Sequence, residues 1–190
     1  MNSKQLKRKL KVLDFDIENR PLSYGGQDFT FSDITAIAAS WTNEKKVHVW
    51  ALGEVSTEEM LSEFRKLYDE ADMVTGHYIR NHDLPIVSGA MVEFGMDPLG
   101  AKLTSDTKND LLKFSGISKS QESLGAMFDL PQPKFQMNQV AWRMGNRLTP
   151  EGIALTKKRV IYDVKQHKAL REYLIANNLL GKAKVWHNGK

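Results

Sequence analysis

Four carboxylates in the 190-residue chain sit where a plain structural role does not account for all of them: Asp16 and Glu18 in KVLDFDIE, Asp83 in GHYIRNHDLP, and Asp163 in KKRVIYDVKQHKALREYL. Asp16 and Glu18 are two apart in an alternating stretch, so on a strand they share a face, roughly 7 Å apart by backbone rise. Two like charges that close raise each other's pKa unless a cation sits between them. Hard divalent cations prefer oxygen ligands, and Mg²⁺ or Mn²⁺ suits a carboxylate pair. A solvent-facing polar strand is the competing reading. Asp83 follows a short apolar run and opens a helix, where Asp is also a common cap; Asn81 could fill that role instead. Asp163 is different. At about 100° per residue it shares a face with Val160, Val164, Leu170 and Leu174, and His167 follows one turn later. A carboxylate among core aliphatics costs several kcal/mol unless paired. A salt bridge to a neighbouring Lys or Arg would serve; so would a metal centre completed by Asp16, Glu18 and Asp83. His77 and His82 lack a third partner at ligand spacing and read as structural or phosphate-facing.

The elements that must position these acids follow from periodicity. Lys11–Glu18 alternates as a strand with Leu13, Phe15 and Ile17 on one side and Val12, Asp14, Asp16 and Glu18 on the other. NRPLSYGGQD has the composition of a loop. ITAIAASW and KVHVWALG predict two further strands around a turn at TNEK. STEEMLSEFRKLYDEA predicts a capped helix, DMVTGH a buried strand, and DLPIVSGAMVEFGM a second helix. KLTSDT reads as a strand, NDLLKF and SQESLGAMF as short helices, and DLPQPKFQMNQ as a connection. Thr149–Pro150 opens one long last helix. Three strands joined by short turns, then alternating helices and strands, predict an α/β domain with a mixed sheet. The expected organisation is a basic arm over 1–10, the α/β domain over 11–180 and a tail over 181–190. No Gly-rich loop follows a strand, which argues against a phosphate-cradling nucleotide site.

Composition narrows the classes. Apolar residues make up 41% of the chain, enough for a core, and cysteine is absent, which excludes disulfides and thiolate chemistry and fits a reducing compartment. No apolar run is long enough to span a bilayer, and the N-terminus has no apolar signal region, so no membrane association is expected. The net charge of +4 is modest. Its positive members gather in KQLKRKLK, in Lys157, Lys158 and Arg159, and along the last helix; such runs are either a solvated face or a phosphate-facing surface.

VLDFDIEN, VTGHYIRNHDLP and YDVKQHKAL resemble, in order and separation, the three exonuclease motifs of the DEDD 3′–5′ exonuclease superfamily, whose fold is ribonuclease-H-like. The resemblance spans Lys11 to Ala176. It implies three antiparallel N-terminal strands followed by parallel ones, flanked by helices. It implies two divalent cations, Mg²⁺ or Mn²⁺, held by Asp16, Glu18, Asp83 and Asp163, and hydrolysis of phosphodiesters at the 3′ end of single-stranded DNA or RNA. Lys157, Lys158, Arg159, His77 and Tyr24 become candidate nucleic-acid contacts, with Phe29, Phe31 and Trp142 as stacking partners. The setting implied is the cytoplasm of a bacterium or a phage-infected host; oligomeric state stays open. The third motif departs from the pattern. The family places Tyr four residues, or His five residues, before the last Asp, where this chain has Arg159 and Lys158. If Tyr162 set the register, the Asp position would fall on Gln166. Asp163 is preferred because it lies on the core stripe, with Gln166 directed to the flank of Tyr162 and Tyr173, and because Asp163–Val164 matches the usual pair. His167 and Tyr162 are then the candidates to orient or deprotonate water. Asp14, where the family has an apolar residue, is a second departure. The altered motif also admits a nuclease-like fold that serves as a nucleic-acid-binding or docking module.

Overall fold

The computed structural model describes residues 9–23, 30–131 and 135–188. Tyr24, Phe29, the Phe31 side chain and the basic arm through residue 8 lie outside what it describes. Among the described residues six strands form one mixed sheet, in the order β3 (His48–Ala51), β2 (Thr30–Trp41), β1 (Val12–Ser23), β4 (Met73–Gly76), β5 (Lys102–Asp106) and β6 (Lys184–Trp186). β1, β2 and β3 are antiparallel neighbours. β4 and β5 then add in parallel on the other side of β1. This open mixed sheet, flanked by helices, is the ribonuclease-H-like architecture expected.

Leu13, Phe15 and Ile17 alternate into a core with Met60, Phe64 and Tyr68 of α1 (Thr57–Glu70) and Leu84, Val87 and Met91 of α2 (Asp83–Glu93). α1 begins where Ser56 accepts the Glu59 N–H at 3.1 Å, satisfying an otherwise orphaned donor. α6 (Pro150–Ala176), opened by Thr149 capping Gly152, covers the opposite face. There Val160 and Val164 meet Ala36, Ala38 and Ala51, and the small β2 and β3 side chains let the helix approach closely. Asp14, Asp16 and Glu18 therefore point toward α6. A second cluster joins Leu170 and Leu174 of α6 to Leu111 of α3 (Thr107–Leu111) and Leu124 of α4 (Gln121–Met127).

Three features differ from expectation. The stretch NRPLS continues β1 rather than starting a loop, because past Asp14 the strand pairs with β2 alone. Proline is confined to such edge segments within sheets, since it cannot donate to a ladder on both sides. Gln139–Asn146 is a helix, α5, capped by Asn138, although the expected connection ends at Gln139 and no element is expected over 140–146. Lys184–Trp186, within the expected tail, is β6, antiparallel to β5, and Trp186 reaches the main core.

Candidate metal centre

The register of the β1–β2 ladder shifts between Glu18 and Asn19, a bulge of the kind that re-aims side chains beside functional sites. Thr35, passed over by the shift, donates its hydroxyl to the Glu18 carbonyl at 3.0 Å. Just before the bulge, Asp16 and Glu18 face α6, and Asp163 descends from the helix to meet them. One carboxylate oxygen from each lies within 4.8 Å of the others. Asp83 lies outside that trio but lines the same cleft of about 360 Å³.

Asp83 is not a cap. α2 is preceded by His82, which makes no side-chain cap bond, and the Asp83 carboxylate instead accepts the Ile17 N–H at 3.1 Å. The acid is thereby fastened to the strand between Asp16 and Glu18. Burial pushes its pKa up to about 7, and the charges of Asp106 and Glu18 push the same way against the Ile17 bond.

The connection between β4 and Asp83 is held by a residue with no role in the sequence reading. Asp106, fully buried at the end of β5, accepts the backbone N–H of Tyr78 at 3.0 Å, of Arg80 at 3.1 Å and of Asn109 at 3.1 Å. Those bonds stabilise Tyr78 in a left-handed conformation (φ 78°), which is costly for a residue with a Cβ. Gly76 starts the bend; a Cβ there would fall 2.2 Å from Ile79 and 2.8 Å from the Phe15 carbonyl. The only hint in the sequence is an acid at the end of a parallel strand, a common place for site residues in α/β sheets.

Asp163, not Gln166, joins the acids. Gln166 is buried, but its amide packs on α4, where a Cβ on Gly125 would lie 2.3 Å from Nε2. Its expected direction, toward Tyr162 and Tyr173, is corrected by that contact: the periodicity of one helix cannot reveal that a glycine on another leaves room. Gln121 of α4 donates to the Asp163 carbonyl at 2.7 Å, linking the two helices at the site.

His167 and Tyr162 are not at the cleft. His167 is buried with Nδ1 donating to Asp14 at 3.0 Å, and Thr42 donates to the other Asp14 oxygen at 2.5 Å. Asp14 is fully buried and its carboxylate is an anchor between β1 and α6. Tyr162 packs against Phe135, ring centroids 6.0 Å apart. His77 does line the cleft, yet both ring nitrogens are engaged: Nε2 donates to the Lys119 carbonyl at 2.8 Å and Nδ1 accepts from Thr107 at 2.9 Å. Burial lowers its pKa to about 4, so it is neutral near pH 7. Lys157 pairs with Glu54 at 2.6 Å, and Lys158 lies over the Phe135 ring at 4.4 Å. Arg159 turns inward, its Nε donating to Glu18 Oε1 at 2.6 Å. Lys108, over the Tyr78 ring at 3.8 Å, is a cleft cation absent from the expected set.

The donor set fits a cation. It offers carboxylate oxygen, the ligand hard divalent ions prefer, from two rigid elements rather than a loop.

Comparison with protein-family models gives no match, and comparison with curated proteins gives none. Among solved structures, the chain is similar to the family B DNA polymerase of the hyperthermophilic archaeon Pyrobaculum calidifontis, with a TM-score of 0.68 and 17% identity. The match covers 90% of this chain but 25% of the polymerase chain. At that identity the likeness establishes a shared fold. Among the described residues, no helix is long and apolar enough to cross a membrane.

Proposed function

We propose that this chain is a divalent-cation-dependent nuclease that hydrolyses phosphodiesters from the 3′ end of single-stranded DNA or RNA. The observation that carries the reading is the meeting of Asp16, Glu18 and Asp163 within 4.8 Å, with Asp83 lining the same cleft. The motif resemblance supplies the polarity, and the shared fold with part of a DNA polymerase supports nucleic acid as the substrate class. A bacterial or phage cytoplasmic setting belongs to the same proposal.

Asp16, Glu18, Asp83 and Asp163 would hold two Mg²⁺ or Mn²⁺ ions. Such ions, when bound, lower the pKa of water and offset charge on phosphoryl oxygens. The protein's own share is geometric. Ile17 fixes the Asp83 carboxylate through its N–H, and the alternation of β1 turns Asp16 and Glu18 into the same cleft. Asp106 holds the backbone that leads into Asp83. Lys108 adds positive charge beside the acids, where a phosphate would be drawn. Neither His167 nor Tyr162 lines the cleft, so neither is placed to take a proton from an attacking water there.

The second reading, a nuclease-like fold kept for binding, draws on Arg159, a cation already placed on Glu18. Oligonucleotides labelled at either end separate the two. Turnover shortening the strand from its 3′ end with Mn²⁺, and none in EDTA, is expected of the nuclease. Binding without turnover at any cation concentration favours the module, and digestion from the 5′ end contradicts the proposal.

A further inference from the structure

Arg159 lies one helical turn before Asp163, so both side chains leave the same side of α6. Its Nε–Glu18 bond, 2.6 Å long, is a short charge-assisted contact, and its Nη2 lies 3.8 Å from Asp163 Oδ2. The side chains of Arg159, Glu18 and Asp163 are 14%, 11% and 5% exposed, so water screens this triad far less than a surface pair. The guanidinium is also held from its far side. Nη1 donates to the Phe135 carbonyl at 3.1 Å, and the Trp142 ring of α5 lies 4.9 Å from its central carbon. Trp142, expected to stack on bases, is thus occupied with Arg159.

We infer that Arg159 is a built-in counter-cation of the carboxylate centre, neutralising Glu18 and Asp163 in the cation-free protein and yielding them to a divalent ion. The inference rests on the metal-centre reading above. A guanidinium and a divalent ion compete for the same carboxylate oxygens, and charges of one sign a few ångströms apart in a shielded cleft repel strongly. The two occupancies therefore oppose each other. Two of the guanidinium's contacts, the Phe135 carbonyl and the Trp142 face, are not metal ligands. Arg159 can keep them while giving up the acids, so displacement need not cost its whole binding seat. The consequence is a threshold: the acids are held together without cations, and occupancy begins at a higher concentration than the bare donor set would require.

The bland alternative gives the opposite sign. If Arg159 merely holds α6 against β1, removing it splays the acids and weakens cation binding. Calorimetric titration of the full chain with Mn²⁺, without nucleic acid, tells these apart. Arg159→Met should bind Mn²⁺ more tightly than the native protein by about tenfold. It should also melt lower without cations and show a larger Mn²⁺-induced rise in Tm. Arg159→Lys keeps the charge but loses the planar fork needed to hold Glu18 and the Phe135 carbonyl together, so it should bind with intermediate affinity. The Lys variant carries the test if the Met variant does not fold. Affinity equal to or weaker than native in the variants, with native protein binding Mn²⁺, overturns the counter-cation and leaves the metal centre standing. Absence of Mn²⁺ binding in native protein and both variants overturns both.

Discussion

Asp83 is nearly free of solvent contact, with its carboxyl pushed up to about 7 first by burial and then by Asp106 and Glu18. An acid whose pKa is higher folded than unfolded binds its proton more tightly in the folded state. Its contribution to stability is complete below the unfolded value near 3.9 and is lost as pH rises through about 7. Without cations, the native protein should therefore be less stable relative to Asp83→Asn at pH 8 than at pH 5, by roughly 2–3 kcal/mol, the part of the shift that lies above pH 5. His77 acts in the other direction: lowered to about 4, it costs stability as pH falls below about 6.5. It is common to both proteins and cancels in the comparison. Urea denaturation of the pair in EDTA at the two pH values measures the difference. An unchanged gap would mean that Asp83 is ionised in the cation-free protein throughout that range. The Asn amide oxygen can still accept the Ile17 N–H, so the substitution isolates charge from geometry.

At the scale of the element, α6 is both a lid on the sheet and the carrier of the fourth motif acid. Its attachment is polar as well as apolar. His167 binds Asp14, and Lys168 donates to Ser40 at 3.1 Å and to the Trp41 and Glu44 carbonyls at 2.9 and 2.6 Å. His167→Ala would leave the buried Asp14 charge with less support, a loss of about 2–4 kcal/mol by the usual cost of breaking one side of a buried pair. Activity per folded molecule should fall far less than the 10²–10⁴-fold expected on removing a general base. Paired urea midpoints and low-temperature rates check this; a large rate loss at unchanged stability would return His167 to the chemistry. The apolar stripe of α6, the Asp163 register and the strand alternation at Asp14, Asp16 and Glu18 were legible because period 3.6 and period 2 leave direct marks. The partner of Asp14 was not, since 153 residues separate it from His167. Nor was the inward turn of Arg159, whose seat is assembled from Phe135, Trp142 and Glu18. α5 escaped notice because a short helix after a proline-interrupted stretch has little periodicity to show, and β6 because three residues have almost none.

For the whole molecule, the strand order and the helices on both faces place the N-terminal motif in the sheet's centre and the C-terminal motif directly above it. The last strand contributes to that frame. Trp186 is 9% exposed and belongs to the core that contains Phe15 and Phe64, and the Lys184 carbonyl accepts the Thr104 hydroxyl at 2.7 Å. Trp186→Ala should cost about 3 kcal/mol, as for other buried aromatic truncations. Thermal and urea melts would measure it; a loss within 0.5 kcal/mol, the scale of ordinary surface changes, would mark the strand as an ornament. One rate comparison decides whether Asp163 completes, with Asp16 and Glu18, a cation centre that cuts nucleic acid. Native protein and Asp163→Asn are incubated with a 5′-labelled single strand at saturating Mn²⁺, after circular dichroism confirms equal folding. Progressive shortening from the 3′ end by the native protein is expected, with loss of that activity in the variant by about 10³-fold, the upper range for removing a preorganised electrostatic group. An Asp163→Asn protein that turns over at the native rate would contradict that role for Asp163.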